Sequence, residues 1–180
     1  MRAPTHTRSR LAIAMLGAIT FVGLTTACAS VSGGSLTWTA ASTDPSLINL
    51  SKATFAANSG VTDAVLAECN LERELPEIIA QHTPVPVVLA EQTEGGARVL
   101  TLEVVNILAP GGGAWSGPKS LTLHGELVQE GAVVASFDAR RTTTRGAGTC
   151  DMLEVIVDAL AEDIRPWLGE PTLNARLGEL

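Results

Sequence analysis

The stretch "KSLTLHGELVQEGAVVASFDAR" (residues 119–140) decides the fold. Leu121, Leu123 and Leu127 alternate with Thr122, His124 and Glu126. A period of two places one set on each face of a strand. Gln129-Glu130-Gly131 then fits a three-residue hairpin loop with glycine in the left-handed position. In that register Leu127 faces Val133 and Leu123 faces Phe137, with bare Gly125 beside the Phe137 ring. Thr122 falls opposite Asp138, His124 opposite Ser136 and Ser120 opposite Arg140. Apolar meets apolar on one face and polar meets polar on the other, so the register agrees with both.

Working outward, Arg98 to Leu108 reads as another long strand, with Leu100, Leu102, Val104 and Leu108 on one face. Val85 to Leu89 has the same period, and Glu94-Gly95-Gly96 is a hairpin turn signal. These features predict four strands in a meander. Leu47 to Phe55 adds a possible fifth. A sheet apolar on one face needs a cover, and two helical patterns supply it. Thr62 caps the first, which carries Val65, Leu66, Cys69 and Leu75. Pro76 ends that helix, kinks it, or begins a second turn with Ile78 and Ile79. The second opens at Cys150 or Asp151. Its Leu153, Ile156, Val157, Leu160, Ile164 and Trp167 line one face over about five turns. Pro166 and Gly169 close it, and residues 171–180 read as a frayed tail. The expected fold is therefore α+β and two-layered, an antiparallel four- to five-stranded meander sheet covered on one face by two helices.

The N-terminus has the form of a signal peptide. Arg2, Arg8 and Arg10 precede an apolar run from Leu11 to Leu24, about fourteen residues, which is short for a membrane span of about twenty. Thr25-Thr26-Ala27-Cys28 resembles a lipobox, in which Cys28 is acylated and becomes the mature N-terminus. Thr25 stands where that motif usually has leucine, and Leu24 lies one residue early. Ala27-Cys28-Ala29 also fits ordinary signal peptidase, which would release a free secreted protein cleaved after Ala29. The Ser/Thr/Gly-rich residues that follow suit a tether, which as a coil of about sixteen residues would span on the order of 20 Å, although Leu36-Thr37-Trp38-Thr39 could instead form a short strand. The expected organisation is a signal peptide at 1–27, a tether at 28–46, a single α+β domain at 47–170 and the tail.

Removing residues 1–27 removes three arginines and no acids. The remainder carries nine basic and nineteen acidic residues, a net of −10. That balance argues against nucleic acid, which needs a basic footprint. It equally disfavours electrostatic adhesion to an anionic leaflet, so membrane attachment would have to be covalent. Two lipid chains suffice for firm anchoring at about 0.8 kcal/mol per buried methylene. With Cys28 acylated or lost, Cys69 and Cys150 remain, and in an exported chain they suggest one disulfide. Two buried free thiols and a metal pair are the alternatives. A bridge would staple the two helices over the sheet and stabilise by at most roughly 4–5 kcal/mol in the chain-entropy model.

Chemistry-bearing motifs are weak. In "GGGAWSGPKS" (residues 111–120) the extra Pro118 displaces the lysine of a phosphate-binding loop, and a strand follows where a helix is needed. Ser116 lacks the flanking glycines of a nucleophile elbow. His82 and His124 have no ligand spacing, so no metal, no cofactor and no catalytic residue is expected. His124, Glu126, Asp138 and Arg140 read as a solvated sheet face. Trp115 in a glycine-rich loop invites a partner, and Arg140, Arg141 and Arg145 form the one basic cluster. Trp115, Ser116, Lys119, Arg140 and Arg141 are thus the candidate partner-binding set.

Three stretches, "AECNLERELPEII" (67–79), "GGGAWSGPKSLTLHGEL" (111–127) and "FDARRTTTRGAGTCDMLEVIVDALAEDIRPWL" (137–168), resemble a family of uncharacterised proteobacterial cell-envelope lipoproteins. The resemblance spans most of the mature domain. It implies an exported lipoprotein with a two-layer α+β domain, one cysteine pair, an envelope role and no cofactor. Ala29 after the cysteine implies outer-membrane sorting, with the domain facing the periplasm. The function expected is a non-enzymatic binding or accessory module held to the bilayer by its acyl anchor and meeting another envelope protein. The alternative is a periplasmic carrier of a small molecule or lipid, with a pocket between sheet and helices lined by Leu100, Leu123, Phe137 and Leu160.

Overall fold

The computed structural model describes residues 36–110 and 117–180. The signal peptide, Cys28, Trp115 and Ser116 lie outside the described residues. In chain order the elements are β1 (Ile48–Leu50), β2 (Thr54–Phe55), α1 (Asp63–Cys69), α2 (Leu71–His82), β3 (Val87–Leu89), β4 (Arg98–Leu108), β5 (Lys119–Gln129), β6 (Ala132–Thr143), α3 (Thr149–Gly169) and β7 (Ala175–Gly178).

The α+β class holds, but the sheet is mixed rather than an antiparallel meander. It has seven strands in the order β3-β1-β4-β5-β6-β7, with β2 also pairing β4. Only β4-β5-β6 is antiparallel. β1 lies between β3 and β4 and runs parallel to both. Glu94-Gly95-Gly96 is therefore not a hairpin. Gly95 does turn, with φ +79°, but the turn carries the chain past β1 to start a strand parallel to the one it left. The reason lies in Ile48-Asn49-Leu50, which are at most 1% exposed. A parallel strand covered on both faces shows no alternation, and three residues are too few to reveal a period. Parallel neighbours need a crossover, and α1 with α2 forms the one between β1 and β3.

The β5–β6 register differs from expectation by two residues. Glu130 and Gly131 alone form the turn, both at positive φ (51° and 78°), which is the two-residue hairpin geometry. An irregularity between Leu127 and Val128 adds one more step. Leu127 faces Ala135, Leu123 faces Ala139, His124 faces Asp138 and Gly125 faces Phe137. A slip of two keeps faces the same along most of the ladder, but two residues expected in the core are not there: Leu108 is 55% and Val133 44% exposed. An irregularity between Val104 and Asn106 brings Ile107 inward instead, and the one between Leu127 and Val128 pairs Val133 with Val128. The Phe137 ring fills the space over Gly125: a Cβ there would overlap the ring.

The helices cover one sheet face. Leu75, Ile79, Leu153, Ile156, Leu160 and Ile164 pack against Leu100, Leu102, Leu123, Leu127 and Phe137 in one buried cluster. Trp167 meets Phe137 edge to face at a centroid distance of 4.7 Å. Where one N-terminal helix was expected there are two. Thr62 caps α1, its hydroxyl accepting from Val65 N at 3.3 Å. Asn70, at φ 44°, then breaks the helix in the left-handed conformation. Pro76 sits inside α2, where it cannot donate to Glu72 O. Ala53 N fills that vacancy, donating to Glu72 O at 2.9 Å. The proline thus leaves an acceptor that ties α2 to the β1–β2 connection.

Cys69, the last residue of α1, is disulfide-bonded to Cys150 near the start of α3. The tail expected to fray instead adds β7, parallel to β6. Trp167 Nε1 donates to Thr172 O at 3.0 Å, and Asn174 turns at φ 56°. These anchor the return to the sheet edge, which the short "ARLG" does not announce by period. Residues 36–46, read as the end of the tether, are held to the domain. Thr39 N donates to Leu89 O at 2.9 Å and Glu91 N donates to Thr39 O at 3.0 Å, so the segment adds a bridge beyond β3. Asn49, fully buried, grips the same segment: Ser42 N donates to its Oδ1 at 2.6 Å, and its Nδ2 donates to Ser42 O at 2.9 Å.

Candidate functional site

The second sheet face, which none of the described helices covers, carries the polar residues singled out from the sequence. His124 sits mid-strand on β5, between Glu103 of β4 and Asp138 of β6. Its Nδ1 lies 2.8 Å from Asp138 Oδ1, and its Nε2 lies 3.6 Å from Glu126 Oε1. Burial works against the charged imidazole, but the Asp138 and Glu126 carboxylates outweigh it. The histidine is therefore held protonated above its ordinary value near 6.5. The group is open to water, with the His124 side chain 32% exposed and Asp138 55%. The arrangement is a cross-strand charge network. Among the described residues no group of His, Cys, Asp and Glu is placed to hold a metal ion.

Of the candidate partner-binding residues, Lys119, Arg140 and Arg141 are among those described, and these three do not share one surface. Lys119 is 0% exposed, and its ammonium donates to Pro110 O at the base of the glycine-rich loop. Arg140 is exposed on the open face, across from Thr122. Arg141, one residue on, points to the helix side, as strand geometry requires. There it clasps Asp163 of α3 in a fork, Nε to Oδ2 and Nη2 to Oδ1, each 2.6 Å. Arg141 is thus a strand-to-helix tie.

A second cluster gathers around Trp38. Its Nε1 donates to Glu77 Oε1 of α2 at 2.5 Å. The Arg73 guanidinium stands 4.8 Å from the ring centroid and the Lys52 ammonium 5.9 Å. Both cations also meet Glu91, at 3.3 Å and 2.8 Å, and the Lys52 hydrogen bond foremost holds the Glu91 carboxyl below its usual range. Sequence reasoning placed Trp38 in a tether and so missed this cluster. The available signal was a large aromatic in a stretch otherwise of small polar residues.

The described surface also carries two clefts, one of them beside the Trp38 cluster. One of about 370 Å³ is lined by Thr39, Ala40, Ala41, Glu91, Gln92 and Glu94. The other, of about 210 Å³, lies beside the disulfide, between Thr62, Glu68, Ala109 and Thr149. Neither is lined by Leu100, Leu123, Phe137 or Leu160, each at most 1% exposed. No helix among the described residues is long and apolar enough to cross a membrane.

No family model matches the chain, and no curated protein sequence matches it significantly. Solved structures that it resembles include a PelC dodecamer from Paraburkholderia phytofirmans, 15% identical, covering 70% of this chain and 92% of that one, with a TM-score of 0.42. A Xanthomonas campestris protein of a domain-of-unknown-function family is 12% identical over 76% of this chain and 94% of that one, at 0.46. A minor lipoprotein from Acinetobacter baumannii is 12% identical over 76% of this chain and 98% of that one, at 0.34. These likenesses are distant.

Proposed function

We propose that this is an exported cell-envelope protein, anchored by lipid at Cys28, that acts as a non-enzymatic binding or accessory module in the periplasm. The observation that carries the reading is the Cys69–Cys150 bond joining two helices over a filled core. A disulfide persists in an oxidising compartment, and the residues ahead of Cys28 have the pattern of an export signal. The filled core supports recognition by surface rather than by an internal pocket. The same packing counts against the carrier reading, which needs free volume beside Phe137. Ala29 after the cysteine supports the outer membrane, facing the periplasm.

The test is Cys28→Ala in the native host, with labelled palmitate and membrane fractionation. The anchored reading expects label and membrane association in the wild type, and loss of both in the variant. An unlabelled wild-type chain in the soluble fraction, beginning after Ala29, would establish the free secreted form instead.

A further inference from the structure

Trp38 is where the segment ahead of the domain is fastened, and the fastening is unusual in its chemistry. Three charged side chains meet one indole, and a fourth, Glu91, ties two of them together. Lys52 comes from the β1–β2 connection, Arg73 and Glu77 from α2, and Glu91 from just beyond β3. The indole is the one member contributed by the incoming segment. Beside it, two backbone hydrogen bonds join Thr39 to Leu89 and Glu91, and residues 39–41 form one wall of the 370 Å³ cleft against Glu91, Gln92 and Glu94. Within this stretch the bonds to the domain are few and lie at the rim. Deeper in, Ala90 N donates to Leu50 O at 2.9 Å inside the sheet. A short, surface-held segment with a charged clamp is the kind of unit that opens locally while its scaffold stays folded.

We propose that residues 38–41 are a strap, and that the Trp38 clamp is the latch that closes it on the β3 edge. Opened, the strap frees the Leu89 carbonyl and the Glu91 amide and removes one wall of the cleft. One consequence rests on the anchored reading of Cys28. With the latch closed, ten residue steps lead from Cys28 to Trp38, at most about 36 Å of chain. With the strap open as far as Ser42, which the buried Asn49 still holds, fourteen residue steps lead from Cys28 to that hold, at most about 50 Å. The latch then sets how far the domain can stand from the bilayer.

Amide hydrogen exchange on the full-length mature protein tests the latch. Trp38→Ala should speed exchange at Thr39 and Glu91 on the order of tenfold, since the lost cation–π contacts and the lost hydrogen bond to Glu77 together amount to about that factor. The Ala90 amide should keep its wild-type rate. Trp38→Phe, which keeps the ring but not the hydrogen bond to Glu77, should fall between. Equal acceleration at Ala90, or no change at Thr39 in Trp38→Ala, would overturn the latch. The leash is read separately, by energy transfer from a dye at Glu130 on the β5–β6 turn to acceptor lipids in vesicles carrying the anchored protein. Trp38→Ala should lengthen the mean distance, and an unchanged distance overturns the leash. A wild-type protein that fails to float with the vesicles refutes the anchor alone, because the exchange result does not depend on it.

Discussion

Adding one methyl group at Gly125 tests the sheet register and the packing above it together. Gly125 faces Phe137 across the β5–β6 ladder, and a Cβ at Gly125 would overlap the Cε1 and Cζ atoms of that ring. Phe137 is 0% exposed and is held from behind by Trp167, so the ring has no free volume to enter. Overpacking of this kind costs about 1–3 kcal/mol. Replacing glycine returns about 0.4–1 kcal/mol by narrowing the unfolded ensemble. Gly125→Ala should therefore destabilise the domain by about 1–2 kcal/mol, a fall in Tm of roughly 4–8 °C. Urea and thermal unfolding, with the disulfide intact, measure this. Phe137→Leu shortens the ring side, so the double variant should recover more than about 1 kcal/mol relative to additivity. Gly125→Ala within about 0.5 kcal/mol of wild type, or additive with Phe137→Leu, would refute the packing argument.

Three further outcomes follow from the other ties in the molecule. Arg141→Gln should cost about 1–2 kcal/mol by breaking the fork to Asp163, with a smaller loss at high salt because Arg141 is about a third exposed. His124 is held protonated by its carboxylate neighbours, so its contribution to stability is fully present below its unfolded value near 6.5. That contribution is lost as pH rises through the higher folded value. Stability measured from pH 6 to 8 should therefore fall more steeply for wild type than for His124→Gln, and matching slopes would refute the assignment. Cys69→Ser with Cys150→Ser should lower stability by about 2–5 kcal/mol in denaturant titrations, while a loss below about 1 kcal/mol would show that the staple contributes little.

The parts of this fold legible in the sequence are those with a long period. β4, β5, β6 and α3 each run eleven residues or more, long enough for alternation or a helical stripe to stand out. The cysteine pairing was legible for another reason: two cysteines remain after Cys28, and an exported chain leaves them few other roles. What escaped were the place in the sheet of one short buried strand, expected within Leu47 to Phe55, and the existence of another at the C-terminus. β1 is three apolar-flanked residues paired on both sides, and β7 is four. Neither carries a pattern that separates strand from loop, and their partners are distant in sequence. Without β1 in place, a genuine turn at Gly95 looked like a hairpin. The β5–β6 register was missed because an irregularity next to a turn leaves no mark on alternation. The candidate site was legible only in part. Alternation placed His124 and Asp138 on one face, but their pairing depended on that irregularity. Arg140 and Arg141 looked like one basic cluster because adjacency in sequence is easy to see, while strand geometry sends them to opposite sides. Trp38 was hidden by composition, since serine and threonine around it suggested a linker.

Peptide mass mapping of the wild-type protein, purified unreduced from the native envelope, tests the central claim most directly. The account predicts a cross-linked peptide pair containing Cys69 and Cys150, and an N-terminal peptide beginning at Cys28 with the added mass of a lipid. Free thiols at both positions together with an unmodified N-terminus after Ala29 would contradict it.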